Sequence, residues 1–228
     1  MKKIFKVNCP LFQGIEQKEI ESVLQCLNAI KKSYSKGDYI WHAGDKTDYF
    51  GIVVKGQVNI INEDILGNRI VIANIGKHQM FGEAFSIANV DAYPVSAQAA
   101  IDSVVILLKS EKLTSTCKNA CAFHKILIDN MLRLIARKNI KLNNRINCIT
   151  KKTTKEKLLF YLVSEMQINN QYEVIIPFNR EELADYLGVN RSALSRELSS
   201  LKKEGIISFN KNNFKLLDIE KLKDIYSF

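Results

Sequence analysis

The spacing of apolar positions changes several times along this chain, and each change marks a different kind of structure. Over residues 11–32, Ile15, Ile20, Val23, Leu24, Leu27 and Ile30 recur at roughly helical intervals, which predicts an opening helix. From Tyr34 onward the apolar runs are short and β-prone, at 39–41, 50–54, 58–61, 70–75, 96–100 and 104–108. Seven of the ten glycines (Gly37, Gly44, Gly51, Gly56, Gly67, Gly76 and Gly82) punctuate that stretch. Short strands divided by turn glycines predict an antiparallel sandwich or barrel, whose interior is filled by side chains or holds one small ligand. Trp41, Tyr49 and Phe81 are expected to help fill it.

After Lys112 the glycines stop until Gly188, and the pattern becomes helical. Residues 121–149 read as one helix about 40 Å long. Within it Ile128, Leu132, Ile135, Asn139, Leu142, Ile146 and Ile149 keep a heptad frame, apolar except for one Asn of the kind that fixes register in a coiled coil. A second stripe, Leu127, Met131 and Leu134, is expected to pack back on the barrel. The flanks carry Arg133, Arg137, Lys138, Lys141 and Arg145, so the helix is expected to project and form a homodimer seam. Thr153 and Glu156 have capping-box spacing and open a further helix bearing Leu158, Leu159, Leu162, Val163 and Met166. The expected hinge is the switch at 149–153, giving segments 1–117, 118–150 and 151–228.

Residues 178–205 have the spacing of a helix-turn-helix. Leu183, Ala184 and Leu187 share one face of a first short helix, and Gly188 supplies a left-handed turn. Asn190 is placed to cap the second helix. There Leu194, Leu198 and Leu201 fall within an arc of roughly 60°, and Arg191, Ser192, Ser195, Arg196, Ser199, Lys202 and Lys203 fill a separate arc of roughly 140°. Both acids, Glu197 and Glu204, lie off that polar arc. Guanidinium forks and hydroxyls without carboxylates suit a helix in a DNA major groove. A strand at 172–177 precedes the motif, and runs at 206–209 and 214–217 flank a polar turn, a wing whose Lys211 and Asn212 can reach backbone phosphate.

Charge adds less than the motif does. Of a net +9, residues 118–150 hold seven bases against one acid, while 1–117 and 151–228 are nearly balanced. A basic chain favours a polyanionic partner through counterion release. Five scattered cysteines (Cys9, Cys26, Cys117, Cys121 and Cys148) fit reduced thiols and a cytoplasmic protein better than a disulfide frame. The basic start is followed by no apolar core, and no run is long enough to span a membrane, so neither a secretion signal nor a membrane partner is expected.

Barrel, long helix and winged helix-turn-helix in that order resemble the Crp/Fnr family of bacterial transcription regulators. The resemblance runs from about Leu11 to Leu217. It rests on Lys36-Gly37-Asp38, Gly44-Asp45, Gly56-Gln57-Val58, Phe81-Gly82-Glu83 and the helix-turn-helix. It implies an α+β fold: an N-terminal antiparallel β-roll of the cyclic-nucleotide-binding jelly-roll type, a long dimerisation helix and a C-terminal winged helix-turn-helix. It further implies a homodimer on an inverted repeat of double-stranded DNA, with RNA polymerase as partner and activation as the expected outcome. Arg191, Ser192, Ser195 and Arg196 fall on the family's base-contacting positions, Arg196 where the family keeps its arginine to guanine. Better-known members carry Glu in place of Ser192, so their operator does not transfer.

The effector is less determined. Members that bind cyclic AMP follow Gly-Glu with an Arg-Ser/Thr-Ala cassette whose arginine holds the cyclic phosphate. Here Gly82-Glu83 is followed by Tyr93-Pro94-Val95-Ser96-Ala97, with no Arg or Lys between Lys77 and Lys109. A buried phosphate lacking a cation is poorly compensated, so a small-molecule effector or redox signal other than cyclic AMP is expected. Its pocket is expected around Phe81, Gly82, Glu83, Ser96, Ala97 and Met131. A cyclic-nucleotide regulator with a divergent pocket remains the alternative. Iron–sulfur binding finds no clustered N-terminal cysteines; Cys117 and Cys121 share a helix face, and His42, His78 and His124 are the candidate haem ligands. No metal site or cofactor is required by the residues. A cupin-like barrel enzyme would need a His-x-His pair that is missing, and no catalytic triad pattern appears, so no enzyme is expected.

Overall fold

The computed structural model describes residues 7–64, 67–114, 122–169 and 171–218. The chain forms two compact units, Met1–Ala136 and Arg137–Phe228. In the first, a single 3-10 turn (Pro10–Phe12) leads into helix α1 (Gln17–Cys26). Eight strands follow: β1 (Ile30–Tyr34), β2 (Tyr39–Trp41), β3 (Tyr49–Lys55), β4 (Val58–Glu63), β5 (Arg69–Ile75), β6 (Met80–Phe81), β7 (Ser96–Ala99) and β8 (Ser103–Lys109). A short helix α2 (Glu83–Ile87) lies between β6 and β7, and α3 (Ser110–Thr114) follows β8. Two antiparallel four-stranded sheets result, in the orders β1-β8-β3-β6 and β2-β7-β4-β5.

Side-chain alternation along β3 and β8 divides the apolar residues between two cores. Phe50, Ile52, Ile106 and Leu108 join Ile20 and Val23 of α1, Leu27 just after it and Leu113 of α3. Val53, Val105 and Leu107 instead join Val58, Ile60 and Ala97 of the other sheet. Because β3 and β8 are buried on both faces, these two strands read as nearly continuous apolar runs. The long helix α4 (Ala122–Ile149) supplies Leu127 and Met131 to the first of these cores, as the second stripe on that helix predicts. Asn130 Nδ2 fastens it further, donating to the carbonyls of Leu11 and Gln13 at 2.9 and 2.8 Å.

The opening helix needs correction. It ends at Cys26, because Asn28 turns left-handed (φ 50°) and the Ala29 N–H closes back on the Leu24 carbonyl at 2.9 Å. Ile30, which keeps helical phase with α1, is the first residue of β1 and pairs with Leu107.

The second unit comprises the end of α4, α5 (Thr154–Asn169), β9 (Glu173–Ile175), α6 (Arg180–Leu187), α7 (Arg191–Lys203), β10 (Ile207–Asn210) and β11 (Asn213–Leu216). Its three strands form an antiparallel sheet ordered β10-β11-β9. The capping box closes as its spacing predicts: Glu156 N–H donates to Thr153 Oγ1 and Thr153 N–H to Glu156 Oε2, both at 3.1 Å. Leu158, Leu159 and Leu162 then meet Leu183, Leu187, Leu194, Leu198, Leu201 and Phe214 in one core. Cys148, in the last turn of α4, is buried there too. The division between units therefore falls inside α4, between Ala136 and Arg137, upstream of the 149–153 switch between helices.

Gly56 shows how tightly the β-roll closes. It links β3 to β4 with φ 87°, and a Cβ there would lie 2.6 Å from the Asp102 carbonyl oxygen. Gly56→Ala is expected to destabilise this unit by at least about 2 kcal/mol, combining left-handed strain with overpacking. Trp41 is the chain's one tryptophan and is buried in this unit, so urea unfolding followed by its fluorescence checks the expectation. An unchanged midpoint would count against it.

Candidate nucleic-acid interface and the β-roll interior

The helix-turn-helix is held by its own capping and turn hydrogen bonds. Asn179 caps α6, its Oδ1 accepting from the N–H groups of Glu181 and Glu182 at 2.9 and 3.0 Å, while its own N–H donates to Glu182 Oε2 at 2.7 Å. The helix stops at Gly188 in the left-handed region (φ 62°), and the Val189 N–H returns to the Ala184 carbonyl at 3.0 Å. Leu183, Ala184 and Leu187 are buried on its inner face. Asn190 stands at the N-cap position of α7 with extended backbone, but its side chain makes no capping bond, contrary to the sequence expectation. This helix end is exposed, where water can satisfy the free N–H groups.

Along α7, Leu194, Leu198 and Leu201 are buried, whereas Arg191, Ser192, Ser195, Arg196, Ser199, Lys202 and Lys203 are all exposed. The first turn contains no acid. Glu204 is tied off to the side, accepting from Ser200 Oγ at 2.7 Å and pairing with Lys155 at 2.8 Å. Two residues of the polar arc have internal partners: Ser199 Oγ donates to the Ser195 carbonyl at 3.0 Å, and the Lys202 ammonium sits 5.1 Å from the centre of the Phe209 ring. Lys211 is exposed at the wing tip with φ 51°. Sequence reasoning passed over Arg180 and Phe209, which bind the wing to the rest of the motif. The signal for Arg180 was a cation at a helix N-terminus, where the dipole disfavours one.

The heptad stripe on α4 divides by position. Ile128 and Ile135 are half-buried. Leu132, Leu142, Ile146 and Ile149 keep 62%, 59%, 46% and 43% of their surface exposed, and Asn139 is exposed between them. Asn139 Oδ1 accepts from Asn143 Nδ2 at 2.8 Å.

Around the Gly82-Glu83 turn, the β-roll interior is filled with aromatic rings. Trp41 stacks on Phe81 at 5.1 Å between centroids and meets Tyr93 edge-on at 5.3 Å, and Phe85 lies 5.4 Å from Tyr93. Gly82 is left-handed (φ 77°), and a Cβ there would come within 2.8 Å of the Trp41 ring, so the aromatic packing itself demands glycine. Val95, which precedes Ser96-Ala97, is buried, and its carbonyl accepts from Trp41 Nε1 at 3.2 Å. Ser96 Oγ accepts from the Ala43 N–H at 2.8 Å, and Tyr93 Oη donates to the Tyr49 carbonyl at 3.0 Å. Burial pushes the Tyr93 phenol above its ordinary value. Ala97 and Glu83 are buried close by in sequence, at the cassette and at the start of α2. Met131 does not join this group, because it packs in the other core of the β-roll, with Leu127. The interior here is lined by rings and aliphatic groups with Glu83 and Ser96 beside them, and the sequence carries no Arg or Lys between Lys77 and Lys109 to hold a phosphate.

The remaining candidates are dispersed. His42 stacks on Tyr39 at 4.0 Å, and His124 is buried with Nε2 3.1 Å from the Lys112 carbonyl. His78 adopts φ 68° between β5 and β6, where burial and then Lys77 lower its pKa. Cys9 and Cys148 are buried and Cys26 exposed, while Cys117 and Cys121 lie outside the described residues. Burial pushes the Cys148 thiol up to about 11. Among the described residues no three His, Cys, Asp or Glu side chains gather as a metal site, and no helix is long and apolar enough to cross a membrane.

Comparison with known proteins agrees with both halves of this geometry. Residues 31–120 match the cyclic nucleotide-binding domain, and residues 156–225 match the Crp-like helix-turn-helix domain. The cyclic AMP receptor protein of Thermus thermophilus is 21% identical over 216 residues, covering 95% of this chain and 96% of its own. The transcriptional activator protein FnrL of Cereibacter sphaeroides is 25% identical over 198 residues, 81% of this chain and 76% of that one. The structure of the c-di-GMP-responsive global regulator CLP of Xanthomonas campestris superposes with a TM-score of 0.52 at 15% identity, over 89% of this chain and 100% of that one, a likeness of fold.

Proposed function

Because the chain belongs to the Crp/Fnr family of transcription regulators, we propose that it binds an inverted-repeat operator as a homodimer, under the control of a β-roll effector other than cyclic AMP. The observation that carries this is the outer face of α7, exposed and free of carboxylate from Arg191 to Lys203. Arg191 and Arg196 offer bidentate donors for guanine O6 and N7, Ser192 and Ser195 shorter groups for bases or phosphate, and Asn190 an amide at the helix start. Lys211 reaches for backbone phosphate from the wing. Lys202 and Ser199, engaged within the domain, contribute charge and packing more than base contacts.

Dimerisation follows from the stripe on α4. Four large apolar side chains stand in water on one face of a helix, with an Asn among them to set register. A second copy covers them with the same residues and gives the two-fold symmetry that places two recognition helices about 34 Å apart on DNA. At the other end of the signal, rings fill the space beside Gly82, and Val95 replaces the phosphate-holding arginine. That supports a compact or apolar effector, or a redox input, over a cyclic nucleotide. Activation through RNA polymerase rests on the likeness to FnrL, and a cytoplasmic location follows from the same function.

Three outcomes test this reading. Arg196→Ala is expected to cost roughly 1–3 kcal/mol in operator binding, the worth of one bidentate guanine contact. Gel-shift titration on an operator selected from random DNA measures it, and unchanged affinity removes the assignment. Leu142→Asp is expected to shift sedimentation from dimer to monomer and to weaken operator binding with it. A dimer that persists would place the seam elsewhere. Calorimetric titration with cyclic AMP is expected to show no binding at micromolar concentrations. Saturable heat there would restore the cyclic-nucleotide reading.

A further inference from the structure

The winged unit breaks a local rule at Arg180. This residue opens α6, where the helix dipole is positive and favours the acids Glu181 and Glu182 that follow it. Its guanidinium is nevertheless drawn into the domain, 5.0 Å from the ring centroids of both Phe209 and Phe214. Nη2 donates to the Lys211 carbonyl at 2.8 Å, while Nη1 is buried without a partner. An orphaned guanidinium nitrogen is costly, so the ring contacts and the bond to the wing must offset it. Phe209 also carries the Lys202 ammonium at 5.1 Å. One ring thus joins the start of α6, the end of α7 and the wing.

The wing tip needs such a hold. Asn210 pairs with Asn213, so its turn has only two residues, Lys211 and Asn212. Lys211 is left-handed (φ 51°), a backbone that favours glycine or asparagine. Both turn carbonyls are captured by the body of the domain: that of Asn212 accepts from the Ile176 N–H at 2.9 Å, and that of Lys211 from Arg180. The Lys211 side chain is left exposed.

We infer that Arg180 is a positioning residue for DNA recognition, one that fixes the wing tip through Phe209 and the Lys211 carbonyl so that the Lys211 ammonium meets the phosphate backbone. The inference rests on the DNA-binding reading above and adds a division of labour to it. Arg180 spends its fork inside the protein, and Lys211 makes the contact. Lysine at 180 would keep the charge but lose the planar, two-pronged geometry.

The test is fluorescence anisotropy of the full chain on its selected operator, over a series of salt concentrations. Lys211→Ala is expected to reduce the slope of log K against log salt by about 0.9, one phosphate contact, with a several-fold loss of affinity. Arg180→Lys is expected to reproduce both losses, and the double variant to bind no more weakly than Lys211→Ala alone. A purely structural defect lowers the active fraction and leaves the salt slope unchanged. A wild-type slope for Arg180→Lys, or additive losses in the double variant, would overturn the inference, since neither outcome passes the effect of Arg180 through the Lys211 contact. Should Arg180→Lys fail to fold by circular dichroism, Phe209→Leu removes the ring while leaving both cations. It is expected to mimic Lys211→Ala, and full slope and affinity would overturn the inference. A wild-type chain that selects no operator would instead overturn the DNA-binding reading itself.

Discussion

β3 and β8 send alternate side chains to two different cores, and the first unit depends on that division. Val53, Val105 and Leu107 face the other sheet, in the core that holds Trp41, Phe81 and Tyr93. Phe50, Ile52, Ile106 and Leu108 face outward, onto α1 and the Leu127–Met131 stripe of α4. A strand cannot shift by one residue without exchanging its two faces, so the register is held from both sides. Interior and helix are therefore separated by a single layer of backbone. Anything that displaces the rings beside Gly82 presses on strands whose next residues touch α4. Close-packed cores shift between discrete arrangements more readily than they deform smoothly. That gives a physical route from a β-roll signal to the helix that carries the proposed dimer seam.

The helix bearing that seam is unusual in what it leaves exposed. Full burial of a large aliphatic side chain is worth about 1.5–3 kcal/mol. Leu132, Leu142, Ile146 and Ile149 forgo much of this in a single chain. Pairing two copies doubles the number of side chains covered, a gain on the scale of the roughly 4–15 kcal/mol that association costs. Asn139 lowers that gain but narrows the choice of register. The same helix ends inside the second unit's core, where Cys148 is buried among leucines. Arg145 lies 5.2 Å from the centre of the Tyr186 ring on α6. The last turns of α4 are thus part of the unit that carries the recognition helix.

What could be read in the sequence was what local chemistry determines. Gly188, the capping residues Thr153 and Glu156, and the leucine face of α7 act within a few residues, and each takes the expected form. The strands from β2 to β8 were legible through their turn glycines, apart from the two-residue β6. β1 was not, because Ile30 continues the phase of α1 and only the left-handed Asn28 separates them. Asn190 had the right identity and position for a cap, yet exposure at that helix end makes the bond dispensable. The aromatic filling of the β-roll was partly legible: Trp41 and Phe81 were, but Tyr93 and Phe85 had no period to announce them. The wing lock was invisible for a similar reason. Arg180 and Phe209 meet across a long stretch of chain, and no spacing rule connects them.

The frame and the chemistry of this protein are constrained to different extents, for physical reasons. Gly82 and Gly188 hold backbone conformations that other residues adopt only under strain, and Gly82 also borders a ring that leaves no room for a Cβ. Such positions tolerate little change while the fold persists. Val95 and Ser192 are under no such restraint. At Val95 an arginine would bring a buried charge needing an anionic partner, whereas the aliphatic side chain packs there without a desolvation cost. Ser192 is exposed on α7, where a change of side chain alters which base edge is read and nothing in the core. The input and output ends of a Crp/Fnr regulator can therefore change together while the glycines, caps and leucine faces between them stay put. In this chain both ends carry residues other than those the cyclic-AMP cassette and the better-known recognition helices would place there.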